Sequence, residues 1–265
     1  MVTDWLGLLA DRSLLLLGAV LVVLLLAAKE VGYHAARRWY EPQGVEEAVR
    51  TSVGVINGGM LALLAFLLAI SLSIADRRYE DRRAVVLAEA NAISTAWLRA
   101  GALDSEAGRA MQRLLVDYTR IRIEAVKASE ASAAVLERTG DLQNEIWTIA
   151  GTVARAAPNP ISAQLLASLN ETFDLALSER RAFKSVVPTH IIRVLLWTSL
   201  FTVAALGYYL GTLGSRQFAM STLLILMWTS AMMLIVDINR TGQGLVEISA
   251  DPLLWTLEPM RQPSP

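Results

Sequence analysis

The 265-residue sequence predicts an all-α integral membrane protein. Four transmembrane helices are expected, with a large helical insertion between the second and third. Three observations point there. Stretches 13–28, 51–75, 194–215 and 217–236 contain no Lys, Arg, Asp or Glu. The 49 charged residues fall on the other 182, about 27% of them, an ordinary soluble density. No run alternates apolar and polar residues between turn signals, so no sheet is expected.

A helix needs ~20 apolar residues to cross the hydrocarbon, because each residue rises about 1.5 Å. Three of the stretches meet that length outright. The first has 16 residues. It is extended by Lys29 and Glu30, whose side chains can snorkel, and by Val31 and Tyr33. It reads as a span rather than a signal peptide. Asp4, Asp11 and a single Arg12 do not make a basic leader, and no A-x-A site follows. Lys and Arg near the spans number ten on the side of both termini and five on the other. That bias puts the termini and the long insertion in the cytoplasm, in a cell (inner) membrane.

The expected organisation is therefore residues 1–75 for two spans and their loop, and 76–186 for a helical cytoplasmic region. Residues 187–240 hold two more spans, and 241–265 form a cytoplasmic tail. The second span continues as one helix to about Arg99, since Val86, Ala90, Ile93 and Trp97 share a helical face. Asp104 or Ser105 caps the next helix, with Leu114, Tyr118 and Ile121 on its apolar side. Residues 139–141 read as a break, with Asp141 capping a further helix. Residues 157–160 are the clearest interruption. Leu165, Leu169, Phe173 and Leu177 then mark another apolar stripe. Three prolines in 259–265 predict a disordered end.

Composition excludes several chemistries. There are 24 basic and 25 acidic residues, which gives nucleic acid no electrostatic hold. No cysteine is present, so disulfides, thiolate nucleophiles and iron–sulfur clusters are excluded. His34 and His190 lack partners at metal spacing. No metal, cofactor or catalytic constellation is expected, and the protein does not read as an enzyme.

The second span carries the candidate site. Asn57 is polar within a membrane segment, and such residues usually face a bundle interior or an aqueous path. Phe66, Ile70 and Ile74 recur every four residues. Their face is either a packing surface or an apolar constriction, which can gate a pore by dewetting. Arg77, Arg78, Arg82 and Arg83 interleave with Asp76, Glu80 and Asp81. They form either a solvated helix exit or a pore mouth. Glu89, Asn91 and Tyr118 are polar groups on apolar-striped helices and would need partners. Asp237 closes the fourth span, as an interface residue or the partner of a nearby Arg.

The run from Phe66 through Arg78-Tyr79-Glu80 to Arg83, followed by Glu89 to Ile93 and Arg99, resembles the bacterial bestrophin-like membrane family. Asp237-Ile238-Asn239-Arg240, with Gly244, Ser249, Pro252 and Leu253, is similar to that family's carboxy end. The resemblance implies a homo-oligomeric ion channel, a pentamer in true bestrophins, with its pore lined by the second span. It implies a neck at Phe66, Ile70 and Ile74, an outer vestibule at Asn57, and a cytoplasmic mouth at the four arginines. Four basic against three acidic side chains at that mouth favour anions. Its partners would be membrane lipid, small inorganic ions and further copies of itself. Only Asp237, Glu247 and Asp251 stand where animal bestrophins have an acidic calcium clasp, so calcium gating is not implied. The residues alone leave a second reading open, a non-conducting membrane-anchored helical scaffold or sensor.

Overall fold

The computed structural model describes residues 14–40, 45–128, 132–240 and 248–261. Among them are eight helices and no strand. They are α1 (Leu14–Tyr40), α2 (Glu47–Gly101), α3 (Glu106–Ala128), α4 (Ala133–Ala156), α5 (Pro160–Lys184), α6 (Thr189–Thr212), α7 (Phe218–Asn239) and α8 (Asp251–Met260). Stretches within Leu14–Tyr40, Glu47–Gly101, Pro160–Thr212 and Phe218–Asn239 are long and apolar enough to cross a membrane. The chain folds as two compact units, Met1–Asp76 with Val187–Asn239, and Arg77–Val186 with Arg240–Pro265. The single helix α2 contributes its first part to one and its second part to the other.

In the first unit, Leu21, Leu25, Leu195, Val203, Ile225, Met232 and Ile235 form the core. Outward-facing apolar side chains such as Val23, Trp197, Phe201 and Met227 remain more than half exposed, as a lipid-facing surface requires. The closest helix approach is between α1 and α6. A Cβ at Gly32 would lie 1.9 Å from the Ala204 carbonyl oxygen, and one at Gly207 would lie 1.9 Å from that of Lys29. At Gly211 it would meet the Ala36 Cβ at 2.7 Å. Gly207 and Gly211 are four apart, as are Gly32 and Ala36. This small-xxx-small pairing lets backbones touch where there is no hydrophobic force to drive helices together.

The approach also explains Lys29. It does not snorkel outward as its position suggests. Its side chain is fully buried, and Nζ donates to Ser221 Oγ at 3.1 Å. Nζ also pairs with Glu30 at 3.2 Å and lies 5.0 Å from the centre of the Phe218 ring. A buried ammonium needs such partners, and here the start of α7 supplies most of them.

The second unit is built from the later part of α2 with α3, α4, α5 and α8. Its core includes Ile93, Met111, Leu115, Tyr118, Leu142, Ile146, Leu165, Leu169 and Leu253. Ser105 Oγ accepts from the Gly108 N–H at 3.1 Å, so it, rather than Asp104, caps α3. Asp104 instead makes the turn, with φ of 43°. Asn159 and Ser162 form a capping box that starts α5, with Pro160 in its first turn. The interruption at 157–160 is therefore real.

Two expectations fail here. Residues 139–141 do not break the chain, and Asp141 caps nothing. Helix α4 runs through them, capped by Ser132. Thr139 turns its hydroxyl back to the Val135 carbonyl at 2.7 Å, and Gly140 is tolerated at a cost of ~1 kcal/mol. The disorder expected over 259–265 does not include Pro259 and Met260, the last two residues of α8. Asp251–Met260 is helical, and Leu253, Leu257 and Met260 are buried in the core. Residues 262–265 lie outside the described residues.

Gly207→Leu should cost about 3 kcal/mol or more, because the backbone must move to admit it. Gly58→Ala and Gly59→Ala meet nothing within 4 Å and should be neutral or stabilising by up to ~1 kcal/mol. Denaturant titration of the purified protein in mild detergent measures both.

Candidate functional site

Helix α2 has a used side and an unused side. Successive residues are about 100° apart around an α-helix. Asn57, Leu64, Ser71, Ala75, Arg82, Val86 and Glu89 fall together, and each is at most 5% exposed. The opposite side runs through Val55, Gly59, Ala62, Phe66, Ile70, Ser73, Arg77 and Ala84, all exposed. Phe66 is 61% and Ile70 42% exposed.

This geometry brings together part of the expected site and separates the rest. Phe66 and Ile70 share the open side. A step of four residues overshoots a turn by about 40°, so Ile74 has rotated about 80° from Phe66. It is half-buried and packs against the core of the first unit. Ser73 takes the open position at that level. Asn57 departs further. Nine residues before Phe66 is about 180°, and Asn57 accordingly faces its own chain. Its Oδ1 has no hydrogen-bond partner among the described residues. An open vestibule surface does not fit that placement.

The arginines also divide. Arg82 is 1% exposed. Its Nη2 donates to the Ser185 carbonyl at 2.9 Å and its Nε to that of Ala182 at 3.3 Å. It satisfies carbonyls left open at the end of α5. Burial, and then the Arg78 charge, push its pKa down. Arg78 donates to the Ser185 hydroxyl. Arg83 pairs with Glu80 at 3.1 Å and lies over the Tyr79 ring. Arg77 is exposed on the open side. Arg82 is thus a clamp rather than a mouth charge. The sequence carried a signal for this. Arg82 follows Ala75 by seven residues, in register with the buried row.

A buried charged network lies further along α2. Arg122 Nε donates to Glu89 Oε1 at 2.5 Å and Nη2 to Oε2 at 3.3 Å. The same guanidinium pairs with Glu179. All three side chains are at most 5% exposed. Beside them, the buried Tyr118 hydroxyl accepts from Gln143 Nε2 at 3.2 Å. Glu89 and Tyr118 stand out in the sequence as polar groups needing partners. Arg122 and Glu179 do not, although Tyr118–Arg122 and Ala176–Glu179 keep the buried register of α3 and α5. Burial raises the Glu89 pKa, against the opposing pull of Arg122. Burial, and then the Glu89 charge, raise that of Tyr118.

His34 is exposed and lies 3.9 Å from Glu30. No cluster of three or more His, Asp or Glu among the described residues could hold a metal. Asp237 is buried at the end of α7, and Asn239 Oδ1 accepts from the Val187 N–H. Gly244 and Glu247 lie outside the described residues.

Arg122→Met strands two buried carboxyl groups and should cost about 3–5 kcal/mol in denaturant unfolding. Glu89→Gln keeps the acceptor, removes a charge and should be close to neutral. The raised Glu89 pKa means that the folded state holds this proton more tightly than the unfolded state. Its stabilising contribution is full below the ordinary glutamate pKa and is lost as pH rises through the raised value. The wild-type unfolding midpoint should therefore fall with rising pH across that window, and Glu89→Gln should remove that part of the slope.

The sequence matches no family model and no curated protein. Solved structures are similar along nearly the whole chain. A single-residue variant of a bacterial bestrophin homologue from Klebsiella pneumoniae superposes with a TM-score of 0.68 at 15% identity. It covers 94% of this chain and 98% of its own. Another crystal structure of a Klebsiella pneumoniae bestrophin homologue gives 0.64 at 16% identity, with 92% and 95% covered. A structure described as a membrane protein gives 0.66 at 14% identity, with 96% and 100% covered. At that identity the likeness lies in the fold, and the fold of this chain is that of the bacterial bestrophin homologues.

Proposed function

We propose that the chain is one subunit of a homo-oligomeric ion channel, with the open side of α2 lining the pathway. The observation that carries this reading is the composition of that side. Gly59 and Ser73 stand in line with Phe66, and small or polar residues within a span usually face an aqueous path or a neighbouring helix rather than lipid. A pore wall uses both. Small residues widen the path, and a single bulky row at Phe66 and Ile70 narrows it. Ile74 supports this neck from the flank. Asn57 packs within its own subunit behind the outer part of the path.

On this reading the first unit spans the membrane and residues 76–186 lie in the cytoplasm, as do both termini. The pentamer is carried over from the bestrophin resemblance. The excess of arginine that favours anions in the sequence is largely taken up within the chain. Arg82 and Arg78 bond to the end of α5, and Arg83 pairs with Glu80. Arg77 is left at the mouth beside the exposed Asp76 and Asp81. An anion preference must therefore rest on Arg77. No catalytic step is part of this reading.

Phe66→Ala and Ile70→Ala should each raise single-channel conductance severalfold in planar bilayers. Unchanged current in both variants would remove the neck. No current from well-folded wild type would favour the non-conducting scaffold. Arg77→Gln should shift the reversal potential in a salt gradient toward cations, and an unmoved potential would take Arg77 out of ion selection.

A further inference from the structure

A cavity of about 460 Å³ opens between α3, α4 and α5, within the second unit. Channel activity as proposed above makes no use of it. Its volume is within the ~300–1,000 Å³ of small-molecule sites. The apolar part of its wall includes Phe173 and Leu177. Leu177 continues the stripe of Leu165, Leu169 and Phe173 that the sequence marks as buried, yet it is 48% exposed. A core-type residue is left facing open space there.

The charged part of the wall is unequal. Glu179 is the lining carboxylate, and it shares the single Arg122 guanidinium with Glu89. Arg180 and Lys184, one turn apart on α5, also line the cavity. Neither forms an ion pair among the described residues. The cavity therefore combines an apolar wall with Arg180 and Lys184 at an exposed rim, beside the buried Glu89–Arg122–Glu179 network.

We propose that this cavity binds an organic anion with an aromatic or aliphatic body. Arg180 and Lys184 hold the acid group, and Phe173 and Leu177 cover the body. An inorganic anion would leave the apolar wall wet, and a cation would meet two like charges. The proposal is independent of ion conduction.

Titration calorimetry of the full chain in mild detergent tests it, with 1-naphthoate as probe and neutral 1-naphthamide as control. Saturable naphthoate binding at one per chain is expected, with the amide markedly weaker. The double variant Arg180→Gln/Lys184→Gln should loosen naphthoate roughly tenfold, since it removes two charge-assisted contacts at a solvent-exposed rim. Gly140 lines the cavity and has nothing within 4 Å of an added Cβ, so Gly140→Leu should fold normally and block the site. Absent saturation at millimolar naphthoate, equal binding of acid and amide, or binding unchanged in both variants would overturn the proposal.

Discussion

Helix α2 must satisfy two surroundings at once, and its own chain covers only one side of it. Every residue from Val55 to Ala84 that lies within about 60° of Phe66 is exposed, while the opposite row is packed. Water would penalise the bare apolar part at about 25 cal/mol per Å². Lipid would not, so exposure of Phe66 and Ile70 alone decides nothing. The pore reading proposed above rests on their companions. Gly59 and Ser73 share the row within the span, and Arg77 continues it just beyond.

The packed side of α2 and the helices around it are held by contacts that leave little slack. Gly32, Gly207 and Gly211 bring α1 and α6 into backbone contact. Lys29 is enclosed and tied to the start of α7. In the second unit, Arg82 binds the carbonyls that end α5, and Arg122 joins Glu89 of α2 to Glu179 of α5. Charged side chains inside a fold stabilise it only when fully partnered, so these act as fixed joints rather than as general glue.

Much of this was legible in the sequence. The uncharged stretches locate four helices long enough to span a membrane, and the run from Phe66 to Arg83 carries a resemblance that matches the fold of the solved homologues. Tyr118, Ile93 and Leu165 stand out by periodicity, and Pro158 and Pro160 mark a true break. The losses have physical causes. A row spaced by four drifts around a helix, so Ile74 lies about 80° from Phe66 and half-buried. The polarity of Asn57 marks it in the sequence, and its angle of about 180° from Phe66 turns it toward its own chain. Gly140 signals a turn, but helix packing outweighs ~1 kcal/mol of propensity. Helix α8 carries Pro252 in its first turn, where proline is favoured, but also Pro259 inside it, which forfeits one helical hydrogen bond and reads in the sequence as a breaker. Arg122 and Glu179 lie on different helices, and only the tertiary fold brings them to Glu89.

A pore lined by the open side of α2, as proposed, needs identical copies of the same helix to cover that side. The most direct measurement is the mass of the purified complex in mild detergent, by light scattering corrected for bound detergent. A value near five subunits of 28.9 kDa is expected. A monomer or a dimer would contradict the account, because one lining helix per subunit could not then enclose a central path.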